Sequence, residues 1–238
     1  LKKHKFLKVY DLQNSNRTSF YKSILFKSSN KDIWSSSLTT LPAGKTKDEF
    51  DKLSVLDRFE HQLKTSNLNT KHTLSPDFSW ACSDISNIKT EYNLNKYILL
   101  FPFCSPHLTI KRWPYYNELI EKIKNKFSDE FKIVLAPGPG EIKDASKFNS
   151  LCILDNGKAL DIPQLSTLIK DSSFIIANDT GPAHMAAHLG TKGLTLFGSH
   201  TSPKLVSIER ENFKAIQVSD LAKLSADKVF ERMLEAIS

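Results

Sequence analysis

The amino-acid sequence predicts an α/β fold whose second half is a doubly wound parallel sheet. Three observations carry that expectation. From Tyr97 onward, short apolar runs alternate with helical stripes, as βαβ units require. Several of those runs end in Gly-, Pro- or Asp-containing turns, where such sheets bind their ligands. The composition, 40% hydrophobic and 25% charged over 238 residues, is that of a chain able to pack a core.

The elements follow in order. Phe6–Leu12 reads as a strand, closed by Asp11-Leu12-Gln13 and a polar turn, and Thr18 to about Phe26 as a short helix with Phe20, Ile24 and Leu25 on one side. Ser28–Lys52 is weakly patterned and reads as loop. Val55, Phe59 and Leu63 recur every four residues, predicting a helix from Ser54 to about Thr65; Ser66–Asn95, rich in Ser, Asn and Thr, reads as a linker or boundary. Beyond it come a strand at Tyr97–Phe103, then a helical stripe of Trp113, Tyr116, Leu119, Ile120, Ile123 and Phe127 with Pro114 in its first turn. Strands are expected at Lys132–Ala136, Leu151–Leu154, Phe174–Ala177, Gly193–Phe197 and Lys214–Val218. Helices are expected at Pro163–Lys170, from Pro182 through Leu189 with Gly190 as cap, and at the end of the chain after a Ser225 cap.

Lys and Arg outnumber Asp and Glu by 33 to 26, a formal net charge of +7. That surplus favours phosphorylated ligands, anionic membranes or nucleic acid without choosing among them. No aromatic-basic platform is visible, so nucleic acid is not expected as a partner. Cys82, Cys104 and Cys152 are widely spaced and form no C-x-x-C pair, which excludes a disulfide framework or zinc site as a reading of the sequence. No apolar run approaches the ~18 residues of a membrane span, and Leu1–Tyr10 is basic without the apolar core of a signal peptide. The chain opens on Leu, in what reads as the middle of a domain, and is expected to lack the start of a longer protein.

Four strand-end segments carry chemistry. Asp179-Thr180-Gly181-Pro182 opens a helix after a buried strand; free amides and the helix dipole make such a place an anion site, with Thr180 as a hydroxyl donor and His184 one turn in. An ordinary Asp/Thr helix cap fits the same residues. Lys111 in Lys111-Arg112-Trp113-Pro114 is a cation able to meet a diphosphate, or a surface lysine. Glu141, after Pro137-Gly138-Pro139-Gly140, is suited to ribose hydroxyls, or to a helix start. Phe197–Pro203 is a polar loop at the same edge, which either closes over a ligand or is only a loop.

Together these pieces resemble the lipopolysaccharide heptosyltransferase family. Asn178-Asp179-Thr180-Gly181-Pro182-Ala183-His184 matches its N-D-T-G-P-x-H hallmark, Lys111-Arg112-Trp113-Pro114 its K-x-W-P element and Gly138–Glu141 its glycine turn to glutamate; Asp11-Leu12-Gln13 with Arg17 is similar to its D-L-Q-x-x-x-R stretch. The resemblance implies a GT-B fold of two Rossmann-like domains, the N-terminal one incomplete, divided here as residues 1–90 (acceptor side and linker) and 91–238 (nucleotide-sugar binding). It implies transfer of a sugar, a heptose from an ADP-activated donor, to a lipopolysaccharide core or related glycan, with inversion and with neither cofactor nor metal. By position, Lys111 would contact the diphosphate, Glu141 the ribose, and Thr180 and Gly181 the phosphates through their amides, with Asp179 and His184 against the diphosphate or sugar. By the resemblance, the family's general base is expected upstream of Leu1, so no catalytic base is assigned. The implied partners are a nucleotide-diphosphate sugar and a lipid-linked acceptor. The implied location is cytoplasmic, with Lys2, Lys3, Lys5 and Lys8 either meeting the inner membrane face or lying solvated. A nucleotide-sugar epimerase relative and a non-enzymatic or vestigial binding protein stand as alternatives.

Overall fold

The structure, a computed structural model, describes residues 6–26 and 33–237. Lys2, Lys3 and Lys5 lie outside the described residues, as do the side chain of Leu25 and residues 27–32 of the expected loop. The chain folds as two compact units, one of residues Leu1–Pro76 with Leu205–Ser207, the other of Asp77–Lys204 with Ile208–Ser238.

In the first unit β1 (Val9–Tyr10) is followed by α1 (Asn16–Leu25), whose N-cap Ser15 accepts from the Thr18 amide in a capping box. Then come β2 (Trp34–Ser35), α2 (Lys47–Phe50) and α3 (Val55–Thr65). β1 and β2 pair in parallel, Val9 opposite Trp34. Buried Gln62 on α3 donates to the carbonyls of Asp11 at 3.0 Å and Ser35 at 3.1 Å, giving partners to backbone oxygens where this short ladder ends. The Asp11 carboxylate accepts from the Asn14 amide at 2.9 Å and so serves the turn after β1, while Gln13 and Arg17 are exposed. Three expectations change here. The strand is two residues long rather than Phe6–Leu12; the Ser28–Lys52 loop holds β2 and α2; and Phe20 and Ile24 are 59% and 41% exposed rather than packed.

The second unit begins with residues read from sequence as linker. They pack: Ser83 donates its amide to the Pro163 carbonyl, and α4 (Ser86–Glu91) buries Ile88. There follow β3 (Tyr97–Phe101), α5 (Tyr116–Phe127), β4 (Lys132–Leu135), α6 (Ile142–Ala145), β5 (Leu151–Cys152), α7 (Ile162–Lys170), β6 (Phe174–Asn178), α8 (Gly181–Leu189), β7 (Gly193–Phe197), α9 (Pro203–Val206), of which only Pro203 and Lys204 belong to this unit, β8 (Phe213–Gln217) and α10 (Ala226–Ile237). The six strands from β3 to β8 form one parallel sheet in the order β5-β4-β3-β6-β7-β8. β3 and β6 are buried along their whole length because helices cover both faces, which is why their sequences read as unbroken apolar runs. Ile98, Leu100, Ile133, Leu135, Ile176 and Leu196 meet α5 and α10, while the Tyr97 hydroxyl, on the alternate face, donates to the Leu168 carbonyl of α7 at 2.7 Å.

α5 starts at Tyr116, so Trp113 and Pro114 precede it rather than opening it. Trp113 is buried for another reason: its indole donates to the Leu224 carbonyl at 2.7 Å, and its amide donates to Asn178 Oδ1 at 3.3 Å. Asn178, fully buried at the end of β6, also donates to the Pro102 carbonyl at 2.8 Å and lies within reach of the Tyr116 hydroxyl at 3.3 Å. One side chain thereby ties the ends of β3 and β6 to the segment bearing Lys111. Burial of the Tyr116 phenol, first of all, holds it well above its usual range.

α8 ends at Gly190, whose left-handed φ of 72° is a conformation that favours glycine. In its last turn His188 accepts at Nδ1 from Arg210 at 3.4 Å, an arrangement open only to the neutral ring. Burial, then the charges of Arg210 and His184, lower His188 to about 4 from 6.5. The unfolded chain therefore binds the extra proton first as pH falls. Stability present above about pH 6.5 is expected to decline progressively toward pH 4, by roughly 1–2 kcal/mol after solvent screening. Thermal melts across that window should show a smaller decline in His188→Gln; an identical decline would contradict this account.

Candidate functional site

The strand order reverses between β3 and β6: the chain runs outward through β4 and β5, then returns to lay β6 beside β3. Open α/β sheets bind ligands beyond the carboxyl ends of the strands at such a reversal. A cavity of about 480 Å³ lies there, walled by residues that follow β3, β4 and β6. All six predicted site residues, Lys111, Glu141, Asp179, Thr180, Gly181 and His184, line it. Phe101, Phe103, Leu160 and Leu165 supply apolar wall.

At the mouth of α8 the local chemistry separates the two readings of Asp179-Thr180. Thr180 occupies the N-cap position, yet its hydroxyl makes no cap hydrogen bond and is buried with no partner among the described residues. The Asp179 carboxylate, 5% exposed, accepts from Lys111 Nζ at 2.6 Å and His200 Nε2 at 2.9 Å on Oδ2, with His184 Nε2 at 3.5 Å from Oδ1. Neither side chain caps the helix. Among the described residues the amides of Thr180 and Gly181 donate to no protein group, and Pro182 carries no amide hydrogen. A helix start with unpaired donors and no capping side chain offers its amides to an anion.

Burial alone would raise the Asp179 carboxyl. The hydrogen bonds from His184, Lys111 and His200, together with the Lys111 charge, outweigh it and hold the group well below the usual carboxylate range. Lys111 is reciprocally fixed. It closes a short 3₁₀ turn, Thr109–Lys111, its amide bonded to the Leu108 carbonyl at 2.9 Å, and its ammonium is held over Asp179 at the cavity wall. A cation held this way needs little reorganisation to meet an incoming phosphate.

Across the cavity Glu141 folds back on its own turn, accepting the Gly138 amide through Oε2 at 2.8 Å. A side chain at Gly138 would press on that carboxylate, with its Cβ 3.3 Å from Oε2. This bond fixes the carboxylate at the cavity wall, and no other hydrogen bond engages the Glu141 side chain among the described residues.

The profile of glycosyltransferase family 9 (heptosyltransferase) matches residues 43–232, most of the chain. The chain belongs to this family. No curated protein sequence matches it. Among solved structures, this family 9 chain is similar to Escherichia coli heptosyltransferase WaaC with ADP: 17% identity, a TM-score of 0.63, 99% of this chain and 74% of the other. It is similar to E. coli ADP-heptose lps heptosyltransferase II, with 18% identity, a TM-score of 0.58 and coverage of 78% and 62%. For the family 9 glycosyl transferase of Veillonella parvula the figures are 14%, 0.62, 78% and 60%. The chain thus spans less than two thirds of two of these relatives, and its mixed α/β architecture with parallel sheets matches their GT-B-like folds.

Two features at this site carry little mark in the sequence. Cys104 and Ser105, just past β3, line the cavity, although the cysteines are weighed in the sequence only as a disulfide framework or zinc site. His200 reaches Asp179 from the loop after β7, in a segment noted for its position but not for any side chain. The only sequence signal for His200 was its place at the strand-end edge.

Proposed function

We propose that this family 9 chain binds a nucleotide-diphosphate sugar in the β3/β6 cavity and serves sugar transfer, a heptose from an ADP-activated donor passing to a lipopolysaccharide core or related glycan. The observation that supports this most is the uncapped start of α8, where among the described residues the Thr180 and Gly181 amides and the Thr180 hydroxyl have no protein partner, in the cavity that Lys111 also lines. In this reading an acceptor hydroxyl attacks the anomeric carbon, the bond from that carbon to the diphosphate oxygen breaks, and the configuration inverts. The hydroxyl proton leaves to a base that no residue of this chain is assigned to supply. Charge builds on the departing diphosphate, and the Thr180 and Gly181 amides and Lys111 stabilise it where it forms. Lys111 thus contacts the diphosphate, Glu141 holds the ribose, and Asp179 and His184 face the diphosphate or the sugar. The reaction uses neither cofactor nor metal.

We place the donor site in residues 91–238 and the acceptor side in residues 1–90. The acceptor in this proposal is lipid-linked, reached by a cytoplasmic protein with peripheral contact at the inner membrane face. Among the described residues no helix is long and apolar enough to cross a membrane. Isothermal titration of ADP and ADP-heptose into the 238-residue chain tests the donor reading. Saturable binding of both with one-to-one stoichiometry is expected; no binding of either contradicts it. Product analysis of ADP-heptose incubated with and without a lipopolysaccharide-core acceptor then tests transfer, which requires that sugar appear on the acceptor and not as a free isomerised nucleotide sugar.

A further inference from the structure

His200 is the least exposed of the three donors around Asp179, and the proposed mechanism leaves it without a role. Its side chain is 9% exposed, its ring stacks on Phe197 with centroids 5.9 Å apart and planes 11° from parallel, and its Nε2 lies 2.9 Å from Asp179 Oδ2. Its other ring nitrogen, Nδ1, is buried with no partner among the described residues. Leaving a polar nitrogen unpaired in the interior costs stability. A phenylalanine would stack on Phe197 without that cost, so packing alone does not account for an imidazole here.

We propose that His200 is a positioning residue: through Nε2–H it fixes the Asp179 carboxylate, and so sets where Lys111 presents its ammonium to the cavity. This rests on the reading of the cavity as a diphosphate site. An ionised carboxylate only accepts, so the His200 nitrogen facing it must donate, which fixes the Nε2–H form. Oδ2 then divides itself between His200 and Lys111, at 2.9 and 2.6 Å. With His200 gone, the carboxylate loses a donor, turns more fully to Lys111, and draws the ammonium away from an incoming phosphate. His200 acts on the ligand only through these two residues and does not line the cavity.

Two substitutions separate positioning from packing. His200→Phe keeps the stacked ring and removes the donor; His200→Gln removes the ring and keeps an amide N–H able to occupy the place of Nε2. In isothermal titrations His200→Phe is expected to bind ADP roughly tenfold more weakly than wild type while melting within a few degrees of it. His200→Gln should stay within about threefold. Long-range ¹H–¹⁵N spectra of the wild-type chain should show the His200 proton on Nε2. If His200→Phe binds as wild type does, if His200→Gln loses as much as His200→Phe, or if the ring carries its proton on Nδ1 alone, the inference is overturned. Should His200→Phe fail to fold, the glutamine variant and the ring spectrum decide it. A wild-type chain that takes no ADP removes the donor-site reading and this inference together, whereas equal binding by His200→Phe and wild type removes the inference alone.

Discussion

Replacing Lys111 with methionine is expected to weaken ADP binding by between about ten- and a hundredfold, the range of a lost charge-assisted hydrogen bond. Methionine keeps most of the aliphatic stem and deletes the ammonium, the cation that lines the cavity beside the unpaired α8 amides. The same change costs stability. Asp179 is 5% exposed and loses its shortest hydrogen bond, retaining only His200 and His184. Weakening the satisfaction of a buried carboxylate costs about 1–3 kcal/mol, which for a domain of this size is a fall of several degrees in melting temperature. Lys111→Arg keeps the charge and should recover much of both losses. Isothermal titration and thermal melts of the two variants check this; ADP affinity unchanged in Lys111→Met would remove Lys111 from the site.

The second large effect separates function from stability. Gly181 is not in the left-handed region, and a Cβ built on it would meet no heavy atom within 4 Å. Nothing among the described residues therefore demands glycine at this position. Gly181 lines the cavity, so an alanine methyl takes space there, beside the two unpaired amides. Gly181→Ala is expected to melt at or slightly above the wild-type temperature, since alanine at a compatible position restricts the unfolded chain by about 0.4–1 kcal/mol. ADP binding should fall at least about tenfold, because a phosphate oxygen can no longer close to hydrogen-bond distance of those amides. A variant that loses stability instead, with binding intact, would mean that the glycine serves packing and not a ligand.

The second unit was legible because its physics is local. β3 and β6 are covered on both faces, so they appear as unbroken apolar runs, and their turns fall where ligand chemistry is expected. The uncapped start of α8 was only half legible: Asp179-Thr180 reads equally as a cap, and the difference lies in where two side chains point. Trp113 and Tyr116 share helical spacing by coincidence. Trp113 is held by Leu224 and Asn178, partners 111 and 65 residues away that no window on the sequence contains. The first unit was less legible because β1 and β2 are two residues each, too short to show a period, and because a polar side chain, Gln62, fills the buried place beneath them. On α1 the apolar residues Phe20 and Ile24 are exposed, so its stripe was real in sequence without marking a core. His200 was not legible as a partner of Asp179 because the contact links the loops after β6 and β7.

Backbone amide spectra of the uniformly ¹⁵N-labelled chain report directly where an anion lands. Titrating ADP is predicted to move the Thr180 and Gly181 amide resonances furthest, with smaller shifts in the Gly138–Glu141 turn. Largest shifts elsewhere, for instance around Ser128–Ile133 at the opposite edge of the sheet, with Thr180 and Gly181 still, would contradict the donor-site reading.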